Sequence, residues 1–315
     1  MIRAIATSKS CGRTWAATLA GLCIAACTPL APAGTADTGP AAANVAALAA
    51  AMARQPVVLL GEVHDNVAQH ALRAQALQRL FASGARPALA FEQIDREKQS
   101  TVDRIRHDAA APAQARADRI IAAAGAPGWN WPLYRPYLLL ALQYEVPIVA
   151  ANLSRAQAMR LATEGADAVF SADQRAALGL DAIAPDLEKA QEYEIAQGHC
   201  GGLPAESLPA MARAQIARDA VLAQSIGPYL RDGVVLLTGN GHARRDIGVP
   251  RHLPAADQAR TVSIGLLEDD DKAESRTSFY DVALRTPVQE RADPCAGFRH
   301  GPAPSMPPAG TSGTR

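Results

Sequence analysis

Aromatic residues make up only 4% of the 315 positions, and neither sign of charge is in surplus: 31 Lys and Arg stand against 31 Asp and Glu. A balanced chain has no basic field to hold nucleic acid or an anionic surface, so neither is expected as a partner held by charge. No G-x-x-x-x-G-K-[ST] occurs, and no G-x-G-x-x-G follows a strand, so nucleotide phosphate binding has no support. The absence of G-x-S-x-G argues against a serine hydrolase, and the absence of C-x-x-C-H excludes covalent c-type haem. H-E-x-x-H, which puts two His on one helix face, is missing too. His64 and His70, six apart, are expected to point to different sides. No apolar run reaches the roughly 20 residues a membrane-crossing helix needs.

Cysteine is scarce, and its five positions are informative. Arg3, Lys9 and Arg13 precede the short apolar run 14–26, the pattern of a secretory signal over residues 1–26. That run ends in Ile24-Ala25-Ala26-Cys27, which resembles a bacterial lipobox and implies cleavage before Cys27 with lipid (palmitate included) on its sulfur. Thr28, rather than Asp, follows it, which by analogy favours the outer membrane, facing the periplasm or the cell surface. Residues 27–44 then read as a lipidated flexible tether, and 300–315, rich in Pro and Gly, as a disordered tail. Cys11 and Cys23 leave with the signal, so Cys200 and Cys295 remain for a disulfide in an oxidising compartment. A metal site at His199-Cys200 is the alternative, disfavoured because neither Cys has C-x-x-C spacing.

The body, residues 45–299, alternates short apolar runs with helical patterns. Strands are expected at 56–62, 87–93, 146–153, 233–242, 261–268 and 279–285. Helices are expected at 66–84, within 95–124 and 128–145, and at 154–163, 171–179 and 205–230. Runs without polar alternation suit strands buried on both faces. The fold class is therefore α/β, a mostly parallel, doubly wound sheet flanked by helices, with a helical insertion. In helix 66–84, Asp65 or Asn66 serves as cap and Val67, Ala71, Leu77, Leu80 and Phe81 form the expected apolar stripe.

Ligands of open parallel sheets sit at the carboxyl ends of strands. Four expected strands end on polar groups: Glu62 and His64, Glu92 and Gln93, Asn152, and Asn240 with His242. The Gly-x-x-His elements "GEVH" and "GNGH" place a Gly where the backbone must turn. Glu62, His64, Glu92 and His242 could bind a divalent metal such as Zn or Mn, or act without one, a His serving as base and a Glu orienting it. Their bland reading is buried carboxylates capping helices. Arg244 and Arg245 could clamp a ligand carboxylate or pair with Asp246 on the surface. Arg218 and Asp219 read as a structural ion pair. Trp129, Trp131, Tyr134 and Tyr137 read as a packed lid or core corner.

In order, "VVLLGEVHDN", "ALAFEQ", "GWNWPLYRPYLLLA", "VPIVAANL" and "LLTGNGHARRDIGVPRHL" resemble the ChaN family of bacterial lipoproteins over roughly residues 45–290. The paired Gly-x-x-His elements also resemble the wider Tiki and TraB grouping. The resemblance implies an outer-membrane haem-binding lipoprotein contributing to iron uptake. It implies two subunits enclosing stacked haems, with Tyr on the iron and a partner His on propionates. Tyr193 and Tyr229 are the open Tyr candidates, and His64, His242, Arg244 and Arg245 the others for haem. Expected partners are haem, membrane lipid through Cys27, an outer-membrane haem or iron receptor and a second copy in a homodimer. The Tiki branch implies instead a metal-dependent hydrolase of peptides or esters, with His64, His242, Glu62 and Glu92 on the metal.

Overall fold

The computed structural model describes residues 40–270, 273–293 and 295–296. The expected signal, Cys27 and the tail at 300–315 lie outside the described residues.

Runs of Val and Leu become strands β1 (Val57–Leu60), β2 (Ala88–Asp95), β3 (Ile148–Asn152), β4 (Val234–Leu237), β5 (Thr261–Glu268) and β6 (Val282–Thr286). They form one six-stranded sheet in the order β3-β2-β4-β1-β5-β6, and every pairing is parallel. The sheet buries both faces, which explains the unbroken apolar runs. Val58, Leu60, Val235 and Leu237 enter one core layer, and Val57, Leu59, Val234 and Leu236 the opposite one.

The first layer is covered by α1 (Pro40–Met52), α2 (Val67–Ala82), α3 (Gln99–Arg106), α4 (Ala113–Ala124) and α5 (Trp131–Gln143). Between β3 and β4 comes the expected helical insertion, α6 (Arg155–Glu164), α7 (Ala172–Leu178), α8 (Pro185–Gly198) and the long α9 (Leu208–Ile226). α9 packs Leu222, Ala223 and Ile226 under the second face. Two helices depart from the sequence-based expectation. α1 starts at Pro40, inside the segment expected as tether, and α8 fills a stretch for which no element is expected. The strand expected at 233–242 stops at Leu237, after which Asn240–Ala243 forms a single helical turn, α10. Among the described residues, no helix is long and apolar enough to cross a membrane.

α2 departs from its expected stripe. Asn66 caps it, accepting from Gln69 N at 3.0 Å, but Val67 and Ala71 face solvent. The buried stripe is Gln69, His70, Leu72, Arg73, Ala76, Leu77, Leu80 and Phe81. Three polar residues thus point inward, toward the end of β1.

After β6 the chain forms a strap across the start of α2. Asn66 Nδ2 donates to Pro287 O, and Gln289 N donates to Glu268. Arg291 pairs with Asp65 and with Glu268, whose carboxyl its hydrogen bonds hold down at about 2. Cys295 then joins Cys200, just past α8, with the Cα atoms 5.5 Å apart and a sequence separation of 95. Closing so long a loop is worth about 4–5 kcal/mol in the chain-entropy model. Urea unfolding with and without dithiothreitol, and of a Cys200→Ser/Cys295→Ser variant, is expected to show a loss of that order. An unchanged midpoint would mean that the bond contributes nothing to the fold.

Candidate functional site

The carboxyl ends of β1, β2 and β4 bring together the polar residues read from the sequence, but in two separate groups. Glu62, just beyond β1, has a fully buried side chain paired with Arg73, which is fully buried as well. Tyr134 donates to Glu62 Oε1 at 2.6 Å. His70 Nε2 lies 3.3 Å from Oε2, and His64 Nδ1 lies 3.3 Å from Oε1. The two histidines expected to diverge therefore meet on one carboxylate, and His70 Nε2 also lies 3.0 Å from the His64 carbonyl. Arg73 Nη2 donates to Leu60 O at 3.1 Å, which ties the pair to the strand itself. Glu62 caps no helix; it is the hub of this group. Burial keeps His70 below the usual imidazole value and pushes the Tyr137 phenol up to about 12, despite the nearby Arg73 charge.

The second group is centred on His242. Its Nδ1 lies 2.6 Å from Asp219 Oδ1, and its Nε2 lies 3.4 Å from Glu92 Oε1. Glu92 also accepts from Thr238 Oγ1 at 2.7 Å and Gly239 N at 2.8 Å. Burial alone would lower the His242 pKa, but the charges of Glu92 and Asp219 outweigh it and raise the imidazole to about 10. Burial pushes Glu92 up, and the facing imidazolium overrides this and holds it well below its ordinary range. Asp219 goes the other way, raised by burial. Asp219 is thus not the partner of Arg218; it anchors His242 from α9. Nothing in its immediate sequence context shows this, because the contact spans 23 positions.

The two glycines of the repeated motif serve each other's group. A Cβ on Gly61 would come within 2.5 Å of Asn240 Oδ1, and one on Gly239 within 2.7 Å of His64 Cε1. Neither needs a left-handed backbone; both are required because the two strand ends approach so closely. Asn240 turns from the site and bonds Leu266 N and O on β5.

Of the four strand-end residues Glu62, His64, Glu92 and His242, only His64 is substantially exposed, 48% at its side chain. It lines a cleft of about 650 Å³ together with Trp129, Asn152, Arg155, Met159, Ile195, Met211 and Arg218. Trp129 meets the His64 ring edge-on, with centroids 4.7 Å apart. Of the aromatic group, Tyr134 and Tyr137 are core and Trp129 is cleft wall. Burial lowers the His64 pKa, as does the His242 charge.

Other candidates lie elsewhere. Arg244 is engaged by Glu194 and Asp246 at 2.6 Å each and covers the Phe279 ring, and Arg245 pairs with Asp281 at 2.9 Å. Tyr193 is half-buried on α8 and does not line the cleft. Tyr229 ends the turn leading into β4, at the edge of the sheet opposite the site. Among the described residues, no three His, Cys, Asp or Glu side chains are grouped as a metal would require.

The profile of a family described as "Haem-binding uptake, Tiki superfamily, ChaN" matches residues 48–253, which span both groups. The chain belongs to the ChaN family. Among solved structures, it is similar to ChaN of Campylobacter jejuni, which binds haem cofacially, at 19% identity and a TM-score of 0.56, covering 71% of this chain and 86% of that one. It also aligns with a mutant of the erythromycin esterase EreC in its open conformation, at 13% identity and a TM-score of 0.42, over 71% and 72% of the two chains. A Bacillus cereus protein aligns at 11% identity and a TM-score of 0.40, over 73% and 70%. No curated protein matches the chain in sequence. At 19% identity the Campylobacter jejuni structure speaks for the fold alone, and the family rests on the profile.

Removing the His242 charge is expected to strand Glu92 and Asp219 in the interior. His242→Gln should then cost about 3–5 kcal/mol. The raised imidazole pKa stabilises the fold fully below pH 6.5, and this contribution is lost as pH rises through about 10. The gap in unfolding free energy between wild type and variant should therefore shrink from pH 6.5 to pH 10. A gap independent of pH would contradict the charged pairing.

Proposed function

We propose that the protein is an outer-membrane-tethered haem-binding lipoprotein that contributes to haem or iron uptake, with its ligand in the cleft beside His64. The observation that carries this reading is the state of His64: half exposed, with Nδ1 turned to a buried carboxylate, in a chain of the haem-binding ChaN family. A carboxylate on one ring nitrogen fixes the tautomer and leaves the other nitrogen facing the cleft as a neutral donor, as for imidazoles that ligate metals. The cleft's volume lies within the range of about 300–1,000 Å³ usual for small-molecule sites. Its walls suit a flat apolar macrocycle with anionic edges: Trp129, Met159, Ile195 and Met211 are apolar, and Arg155 and Arg218 are cationic. Haem enters here as cargo, for which His64 is the proposed iron contact. His242 is enclosed with its own carboxylates and holds the cleft's shape. A second copy in a homodimer, an uptake receptor as partner and lipid on Cys27 belong to this proposal, supported by the family and the lipobox.

A hydrolase is the second reading, favoured by the same Glu62–His64 pair, which is arranged as a carboxylate-oriented general base needs to be. Haemin titration of the detergent-solubilised full-length protein separates the two. A saturable, shifted Soret band is expected, weakened at least about tenfold, or 1.4 kcal/mol, in His64→Ala. No saturable band, together with turnover of ester or peptide substrates that His64→Ala abolishes, would replace the haem reading by the hydrolytic one. Palmitate labelling should disappear in Cys27→Ser; labelling that persists would remove the anchor from the proposal.

A further inference from the structure

The arginines that the sequence offered for a carboxylate clamp are already satisfied, and a different guanidinium faces the cleft without a partner. Arg218, on α9, lines the cleft next to the buried Asp219, yet among the described residues no carboxylate lies within ion-pairing distance of it. Its Nε is buried and has no hydrogen-bond partner. Leaving such an atom unsatisfied costs free energy, because water has been removed and nothing has replaced it. A second orphan stands in the same wall: Asn152, only 5% exposed, has its Oδ1 buried and unpartnered. Arg155, at the start of α6, also lines the cleft and has no ion pair among the described residues. Asp95 also lines the cleft, but it forms no ion pair with Arg218: burial and the neighbouring Glu97 charge raise its pKa, outweighing the lowering by the Arg218 and Lys98 charges.

We propose that Arg218 is the specificity-determining residue of the cleft, recognising a free carboxylate of the ligand, with Arg155 as a second cation on the cleft wall. This rests on the haem reading above, and under it the carboxylate is a tetrapyrrole propionate. Arg218 then selects ligands by their acid groups, independently of the iron contact at His64. A guanidinium suits this because its planar donors match a carboxylate in two parallel hydrogen bonds.

The test compares haemin with haemin dimethyl ester, in which both propionates are masked, on the full-length protein. Wild type should bind haemin on the order of tenfold to hundredfold more tightly, the range for a hydrogen bond to a charged group. In Arg218→Met, which keeps the length and apolar stem, haemin affinity should fall to that of the ester, while ester affinity stays unchanged. Arg218→Lys should recover part of the difference. Equal binding of both ligands by wild type would overturn the proposal and leave the haem reading standing, with no variant needed. Full discrimination retained in Arg218→Met would also overturn it. If wild type binds neither ligand, the haem reading itself fails, and the propionate assignment falls with it.

Discussion

Glu62 carries its charge to a place with no solvent, at the point where β1 leaves the sheet, and Arg73 is the counter-charge that makes this tolerable. Both side chains are fully buried, and removing either would leave the other uncompensated at a cost of about 3–5 kcal/mol. The pair is worth more to the architecture than to the net stability, since buried ion pairs recover little beyond their desolvation. It fixes where things are. Through Arg73 it ties α2 to the Leu60 carbonyl, through Tyr134 it draws in α5, and through His70 it reaches Tyr137 and the His64 carbonyl. His64 is what remains on the open side of that hub, oriented by the same carboxylate.

The second group does for β2, β4 and α9 what the first does for β1, α2 and α5. His242 holds Asp219 of α9 and Glu92 of β2, and Glu92 in turn accepts from Thr238 and Gly239 past the end of β4. With Asp219 turned inward, its neighbour Arg218 faces the cleft. The two motif glycines allow the groups to approach one another, each leaving space for a side chain of the other motif. The repeat of Gly-x-x-His is thus a reciprocal fit of two strand ends.

Much of this is legible in the chain. The strand runs, their parallel association, the convergence of Glu62, His64, Glu92 and His242 on one sheet edge and the Cys200–Cys295 bond all follow from local composition and pattern. The rest is hidden for physical reasons. Gln69, His70 and Arg73 lie on the same helical period as Leu77 and Leu80, so the stripe is present, but a stripe defined by apolar residues omits polar ones that bury in pairs. α8 opens on Pro185 with Asp186 and Glu188 in its first turn, a helix-start signature that its weak apolar period conceals. Asp219 and Arg218 are not separable from sequence, because adjacent helical residues differ in direction only once the packing is known. Arg244 and Arg245 look free for the same reason: Glu194 and Asp281, which help to hold them, are remote in the chain.

The central claim is a division of labour, with His64 as the reactive imidazole and His70 and His242 as parts of the frame. Ring resonances of ¹⁵N-histidine-labelled protein, followed against pH and then on adding haemin, test it directly. The expected result is that His64 titrates below its usual value and is broadened by the paramagnetic ligand, while His242 stays protonated through neutral pH. Broadening centred on His242, or a His242 that loses its proton near neutrality, would contradict the account.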